Sequence, residues 1–198
     1  MARTAGRASS ETQRLILEAA GLIFRTRGAQ ATLDDIARAA RLSKGGLTYH
    51  FASKDDLIRA VISHKLEEFR LAVQAQKDLA DTQPGSLTRA YVRASLCRVE
   101  GDEELQIREE ASLMTQLMVI PHVVDLAQKY ARAWNEDLLA DGLPAGIVRL
   151  VVAAADGAGS SILWGAGLAP TARASLEQQL LGLTYPSLAW DHLNVLRA

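Results

Sequence analysis

Residues able to contact a polyanion are concentrated between Ser43 and Lys54, in the run Ser-Lys-Gly-Gly-Leu-Thr-Tyr-His-Phe-Ala-Ser-Lys. Lysines lie near both ends, and hydroxyl, phenol and imidazole groups lie between them. Side chains of these types hydrogen-bond to phosphate oxygens and to base edges. Gly45 and Gly46 carry no side chain, so the backbone there can approach a phosphate closely. This run therefore favours recognition of nucleic acid.

Two short helices, Leu33 to Ala40 and Gly45 to Phe51, are predicted to position this run. The apolar residues that can point inward are Ile36, Ala37, Ala40, Leu42, Leu47 and Phe51. The residues left on the outer side are Ser43, Lys44, Thr48, Tyr49 and His50. Two helices joined by so short a turn form a helix-turn-helix, whose second helix can enter a major groove. A helical hairpin with no role in DNA binding would show the same apolar spacing.

Cap patterns mark the start of each predicted helix in the first third of the chain. Ser43 is predicted to cap the second helix, and Thr32 the first, where its hydroxyl could also contact a phosphate. Ser53 opens a long helix that continues to about Leu79. Ser10 predicts that an earlier helix begins there, which leaves residues 1–10 as a mobile arm containing Arg3 and Arg7. The arm is either a disordered terminus or a minor-groove contact.

The run Thr-Leu-Asp-Asp-Ile-Ala-Arg-Ala-Ala-Arg-Leu-Ser-Lys-Gly-Gly-Leu-Thr-Tyr-His-Phe-Ala-Ser-Lys-Asp-Asp-Leu, from Thr32 to Leu57, resembles the N-terminal domain of TetR-type transcriptional regulators. The resemblance spans roughly residues 11–60. It implies a three-helix DNA-binding domain, a linking helix, a ligand-binding domain and a homodimer that usually represses transcription until a small molecule binds. The residues predicted to contact DNA are Thr32, Ser43, Lys44, Gly45, Gly46, Thr48, Tyr49, His50 and Lys54.

Two positions depart from the family pattern. The turn usually contains glycine where this chain has Arg41, and tyrosine is usual at the position of Thr48. If Arg41 has a positive φ, it is strained by about 1 kcal/mol. Thr48 is shorter than tyrosine, so a phosphate contact expected there either passes to Tyr49 or is lost.

Composition indicates a globular protein that is basic at one end. The chain has 198 residues, 48% of them hydrophobic, and a net charge of -1. Residues 1–60 contain ten Lys and Arg against six Asp and Glu, whereas residues 61–198 contain twelve against seventeen. This distribution is typical of a protein that meets DNA with one end only. Residues 1–53 are predicted to be the arm and DNA-binding domain, and residues 54–198 an all-α effector-binding and dimerisation domain that begins with a linking helix over 54–80.

The sequence favours cytoplasmic residence. Cys97 is the single cysteine, so no internal disulfide can form, and it is predicted to be a small buried hydrophobe. The longest apolar stretch is broken by Arg149 and Asp156, so no membrane span is predicted. Residues 1–10 lack the apolar centre of a secretory signal.

Two apolar helices near the C-terminus predict a homodimer. Residues 145–166 are apolar or small on almost every side, so this helix needs cover all round, and small residues let a partner backbone come close. Residues 170–184 supply a second apolar helix. Two such helices from each of two chains would form a four-helix interface, as the resemblance also implies. A monomer could instead bury the pair internally.

A small organic effector is predicted to bind between the C-terminal helices. The candidate residues are Met114, Met118, His122, Tyr130, Trp134, Asp156 and Trp164. Bulky, adaptable apolar groups suit a flat organic molecule, with His122 and Asp156 to orient it. Each apolar residue alone is more often ordinary core. Asp156 in so apolar a helix needs a partner, and a hydrogen bond across the dimer is an equal alternative.

No catalytic, metal or cofactor site is predicted. The four histidines lack metal-ligand spacing, and Gly45-Gly46 lacks the longer pattern of a nucleotide-binding loop. No serine lies in a nucleophile-elbow pattern. The expected function is a TetR-type regulator, more often a repressor, that binds a near-palindromic operator. The alternative is a helical small-molecule carrier or enzyme that does not act on DNA.

Overall fold

The computed structural model describes residues 2–97 and 102–186, and within these ranges every regular element is a helix. The side chains of residues 2–8, 29, 102–107 and 164 are outside the description. The α-helices are α1 Ala2–Arg27, α2 Leu33–Ala39, α3 Lys44–His50, α4 Lys54–Ala75, α5 Ser86–Ser95, α6 Asp102–Leu117, α7 Pro121–Leu139, α8 Ala145–Ser160 and α9 Pro170–Leu183. Two 3₁₀ segments, Gly28–Gln30 and Ser161–Trp164, follow α1 and α8. The predicted all-α class is confirmed.

The helices form two compact units. We call residues 1–67 with 109–128 the head unit, and residues 68–108 with 129–198 the body unit. Each has its own hydrophobic core. These packing units differ from the functional division expected at 53/54, which stays a prediction.

The head unit is organised around apolar residues of α1 to α4. Ile16 and Phe24 from α1, Ile36 from α2, Leu47 from α3 and Leu57 from α4 are all completely buried in one cluster. Burying a side chain of this size contributes roughly 1.5–3 kcal/mol, so this cluster is what holds the two short helices in place. The predicted inward set lies in or against this cluster.

The first helix begins earlier than the sequence suggested. The backbone is helical from Ala2 through Ser10, so the predicted mobile arm and the cap at Ser10 are wrong. Ala2, Ala5 and Ala8 are strong helix formers, and this propensity extends the helix past the cap pattern. The side chains of Arg3 and Arg7 lie outside the description, so the minor-groove alternative stays a hypothesis.

The turn between α2 and α3 is closed by a Schellman motif. The amide of Leu42 donates to the Ala37 carbonyl at 2.8 Å, and the amide of Arg41 donates to the Arg38 carbonyl at 3.2 Å. Arg41 has a φ of 57°, the only positive value at a non-glycine residue in the described chain. The left-handed backbone expected there is confirmed. Ala37 is 3% exposed, as its position under the turn requires.

The body unit contains a fully buried guanidinium. The Nε and Nη2 atoms of Arg89 donate to the two carboxylate oxygens of Asp81 at 2.6 and 2.8 Å. Nη1 donates to the Pro84 carbonyl at 3.0 Å and to the Thr184 hydroxyl at 3.3 Å. These hydrogen bonds from Arg89 hold the pKa of Asp81 below its ordinary value. Pro84 and Gly85 predict a break between helices at 81–86. The structure shows an ordered loop there, tied to the start of α5 and the end of α9.

Two other expectations about the body are corrected. Cys97 is exposed rather than buried, since α5 ends at Ser95 and Cys97 lies beyond the packed face of that helix. Glu100, the predicted end of α5, lies outside the described residues. By length and apolar composition alone, Ala145–Leu163 could cross a membrane, so Arg149 and Asp156 do not exclude this as expected. A core helix meets the same criteria, and α8 packs against α5 and α9.

Candidate DNA-binding surface and ligand cavity

The second helix of the helix-turn-helix has one buried side and one open side. Ser43 caps α3, its hydroxyl accepting from the Gly46 amide at 3.0 Å, as predicted. Leu47 is completely buried, whereas Tyr49 is 85% exposed and stacks edge-on against His50 at 5.2 Å. The buried Leu47 side chain holds α3 against the core, and the exposed phenol of Tyr49 lies on this same helix. This arrangement can present hydrogen-bond donors to a groove.

The two glycines of α3 differ in how much space the chain leaves for a Cβ atom. A Cβ at Gly46 would lie 3.3 Å from the Ser43 hydroxyl oxygen and crowd the cap. A Cβ at Gly45 would meet nothing nearer than that same oxygen at 4.0 Å. Packing within the chain therefore explains Gly46 but not Gly45. An external surface that approaches the first turn of α3 would explain Gly45.

Two predicted contact residues already have partners within the chain. The Lys44 ammonium lies 3.0 Å from the Asp34 carboxylate, an exposed ion pair that a phosphate could replace. The Thr48 hydroxyl donates to the Lys44 carbonyl at 3.0 Å or to the Gly45 carbonyl at 3.2 Å. Since its proton is used inside the helix, Thr48 is a weaker phosphate donor than the sequence suggested.

Thr32 caps α2 through a complete capping box. Its hydroxyl accepts from the Asp35 amide at 3.2 Å and donates to the Asp35 carboxylate at 2.7 Å. This donated hydrogen bond, with a smaller contribution from Arg27, holds the pKa of Asp35 below its ordinary value. The structural role of Thr32 is thus confirmed. Lys54 lies at the first position of α4, after the Ser53 cap.

The body unit has a cavity of about 460 Å³ between α4, α5, α7 and α8. Its lining consists of Phe69, Tyr91, Tyr130, Ala131, Trp134, Asn135, Leu138, Val148, Arg149, Val152, Ala153 and Asp156. Tyr130, Trp134 and Asp156 were predicted. Met114, Met118 and His122 belong instead to the head unit, and the side chain of Trp164 is outside the description.

Four aromatic rings form one edge-to-face cluster at this cavity. Tyr91 lies 5.4 Å from Phe69 and 5.3 Å from Trp134, and Tyr130 lies 6.2 Å from Trp134 between ring centroids. Such pairs contribute about 0.5–1.5 kcal/mol each beyond area burial. Sequence reasoning missed Phe69 and Tyr91 as cavity residues, because each read as one position in the apolar stripe of its own helix. Only the packing of α4, α5 and α7 brings them together.

Asp156 is held within the chain by an aromatic partner. The Tyr91 hydroxyl donates to its Oδ1 atom at 2.7 Å. Desolvation raises the pKa of Asp156 above its ordinary value, although the Tyr91 hydrogen bond partly offsets this. Burial, together with the charge of Asp156, raises the pKa of Tyr91. The partner that an acid in an apolar helix requires is therefore Tyr91.

Comparisons with known proteins match both units to one family. The family described as "Tetracyclin repressor-like, C-terminal domain" matches residues 85–185, and "Bacterial regulatory proteins, tetR family" matches residues 16–61. The chain belongs to the TetR family. All nine predicted DNA-contact residues fall within the N-terminal match, and Tyr91, Trp134 and Asp156 fall within the C-terminal one.

Individual TetR-family relatives are similar over different lengths. The HTH-type transcriptional regulator SrpR of Pseudomonas putida is 38% identical over 34% of this chain and 33% of its own length. The chain covers only about a third to a half of the curated relatives it matches. The crystal structure of multidrug binding protein EbrR complexed with malachite green is 26% identical, with a TM-score of 0.66 over 88% of this chain and 98% of that one. A TetR-family member from Streptomyces coelicolor A3 is 25% identical, with a TM-score of 0.67 over 89% and 99%.

TetR-family proteins are transcriptional regulators, a class that is generally non-enzymatic. Within residues 2–97 and 102–186, no three His, Cys, Asp or Glu side chains lie close enough together to hold a metal ion.

Proposed function

We propose that this TetR-family protein binds double-stranded operator DNA through α3 and thereby regulates transcription in the cytoplasm. The observation that carries the proposal is the two-sided burial of α3, with Leu47 completely buried and Tyr49 85% exposed beside the open glycine at 45. Lys44 and Lys54 supply charge for phosphates, while Tyr49 and His50 supply groups for phosphates or base edges. Ser43, Gly45 and Gly46 bring the start of α3 close to the backbone of the duplex.

We further propose that the working form is a homodimer that binds a near-palindromic operator. Two copies of α3 would then lie about 34–36 Å apart, one turn of the double helix. Residues 145–166 and 170–184 would form the interface. Leu150 is 44% exposed, and only 28% of the apolar window within Ala145–Leu163 is buried in the single chain, so α8 has apolar surface left for a partner.

The cavity in the body unit is the proposed effector site. Its volume and aromatic lining suit a small organic molecule, and the similar protein EbrR is described as a multidrug binding protein. Effector binding would release the operator, which makes the protein a repressor. α4 begins in the head unit and ends in the body unit, so it is one covalent route between the two, as α6 and α7 are. By linkage, operator binding must weaken effector binding by the same factor.

The proposal is tested by gel shift on genomic fragments selected with the wild-type protein. Tyr49→Ala and Lys44→Ala should each weaken binding at least tenfold while leaving fold and oligomeric state unchanged. Lys44→Ala should also reduce the slope of log affinity against log salt by about 1. Lys77→Ala, which removes an exposed charge of the body unit, is the matched control and should bind like wild type. If both α3 variants shift fragments as wild type does, α3 is not the reading helix.

A second candidate is a helical small-molecule carrier or enzyme whose basic end is incidental, which the cavity alone would also fit. It predicts little binding to duplex DNA and little dependence on salt. A steep loss of affinity with salt, from phosphate contacts, would decide against it.

A further inference from the structure

We propose that the body cavity selects organic cations, with the Asp156 carboxylate as counter-ion and the rings of Tyr91 and Trp134 as the surface that the cation contacts. The inference rests on the proposed role of the cavity as the effector site and adds the chemical class of the effector. It follows from the Asp156 carboxylate, for which the described residues provide no salt bridge, and from the aromatic rings beside that carboxylate.

The Asp156 carboxylate is an acceptor with spare capacity. Its Oδ1 atom accepts one hydrogen bond from Tyr91, and no lysine, arginine or histidine in the described chain forms a salt bridge with it. The other oxygen, Oδ2, accepts no hydrogen bond from the described residues. A carboxylate beside apolar rings is stabilised by a cation, and the residues that the structure describes do not supply one.

The rings next to Asp156 are suited to a positive charge. Tyr91, which holds the carboxylate, stacks at 5.3 Å on Trp134, and Trp134 is 95% buried. The indole Nε1 of Trp134 is buried and has no hydrogen-bond partner among the described residues, so it remains available to an acceptor atom on a ligand. Cations are attracted to the faces of tryptophan and tyrosine, and more strongly when both are desolvated.

The same aromatic cluster already contacts a cation that is not part of the cavity lining. The Arg70 guanidinium lies 4.7 Å from the Trp134 centroid and 5.7 Å from that of Tyr130, and Arg70 is absent from the lining. Its charge is compensated by Asp137 at 3.4 Å. Arg70 therefore shows that these rings attract a cation. Because Asp137 compensates the charge of Arg70, the pair adds no net repulsion toward a cationic ligand.

Arg149 is the residue that argues for an anion instead. It lines the cavity from α8, is exposed as Asp156 is, and precedes Asp156 by two helical turns. At 1.5 Å per residue this is about 10 Å along the axis, close to the distance over which physiological salt screens exposed charges. A cation seated against Asp156 and Tyr91 is thus drawn more strongly by the adjacent carboxylate than it is repelled by Arg149.

Two probes of matched shape and opposite charge test the proposal. Isothermal titration calorimetry of the full chain should show tetraphenylphosphonium binding at least tenfold more tightly than tetraphenylborate. Asp156→Asn should weaken phosphonium binding at least tenfold and leave borate binding unchanged or tighter. The asparagine carbonyl can still accept from Tyr91, so this variant keeps the local hydrogen bond. Glu136→Gln removes one exposed charge from α7 outside the lining and should behave as wild type.

Equal affinity for the two probes, or an unchanged phosphonium affinity in Asp156→Asn, would overturn the proposal. So would a preference for borate that Arg149→Gln abolishes, which would assign the cavity to anions. Gel shifts with Asp156→Asn on the selected fragments should match wild type without ligand. If the wild-type protein binds DNA but does not prefer the cation, only this inference is contradicted. If the wild-type protein does not bind DNA, the proposed function is contradicted.

Discussion

At the scale of single residues, hydrogen-bonding capacity decides which predictions hold. Thr32, Ser43 and Ser53 were predicted as caps because the first amides of a helix need acceptors, and all three accept the hydrogen bond from the amide three residues later. Hydrogen bonds of this kind can be predicted from residues that are close together in the sequence. The pairing of Asp156 with Tyr91 could not, because the two residues lie on different helices, 65 positions apart.

Arg41 provides a test at this scale. Its φ of 57° costs about 1 kcal/mol for a residue with a Cβ, whereas glycine adopts this conformation without strain. Relief of this strain in Arg41→Gly should therefore raise the melting temperature by about 2–4 °C. Glycine also increases the entropy of the unfolded chain, which reduces this gain. The control is Arg59→Gly on the exposed side of α4, where the same exchange should lower stability by about 1 kcal/mol. A loss of stability greater than the roughly 0.4–1 kcal/mol that the unfolded-chain entropy of glycine accounts for would show that the arginine side chain stabilises the turn.

At the scale of elements, the sequence predicted the order and type of the helices because apolar spacing and breakers are local. Gly142 and Pro144 are residues that end helices, and they lie between α7 and α8; Pro121 favours a first helical position and begins α7. The errors lie at the ends and in the connections. Pro84 and Gly85 predict only a break between helices, whereas in the structure Asp81 ties this segment to the fully buried Arg89. A buried ion pair is decided by packing, and composition does not reveal it.

The Asp81–Arg89 pair makes stability depend on pH in a defined direction. Because Arg89 holds the folded-state pKa of Asp81 below 3.8, the stabilisation is complete above that value and is lost as pH falls through the lower folded-state pKa. Asp81→Asn should cost about 3 kcal/mol at pH 7, since the Arg89 guanidinium stays buried without its counter-ion. The difference from wild type should shrink below about pH 4.

Urea unfolding at pH 7, 5, 4 and 3 measures this difference. Asp125→Asn, at an exposed position of α7, should match wild type at each pH. A gap between Asp81→Asn and wild type that stayed constant down to pH 3 would mean that packing, rather than charge, accounts for the loss.

At the scale of the whole molecule, the family resemblance supplied what periodicity could not. Spacing alone left a plain helical hairpin open as an alternative, and the family matches at residues 16–61 and 85–185 resolve it. The cavity was predicted in part: three of its lining residues were named, and three other candidates lie in the head unit. Bulky residues at helical spacing look the same whether they face a cavity or a core.

The proposed dimer can be tested at Gly157 on α8. A Cβ added there meets no atom of the described residues within 4 Å outside its own helix, so a larger side chain fits this part of the chain and should strengthen the helix. Gly157→Leu should nevertheless weaken dimerisation at least tenfold if a partner backbone approaches closely, as measured by analytical ultracentrifugation. Ala72→Leu, on the exposed side of α4, should dimerise as wild type does. An unchanged dimer in Gly157→Leu would remove this part of α8 from the interface.

The Asp141 side chain limits how the walls of the cavity can move. It accepts from the amides of Leu87 and Thr88 at 3.2 and 2.7 Å, and so joins the start of α5 to the turn between α7 and α8. Three walls of the cavity are thereby fastened together at one end, beside Leu138 and Val148. We expect these walls to separate more easily at the other end, where Tyr130 and Asp156 lie, because no Asp141 hydrogen bond joins the helices there.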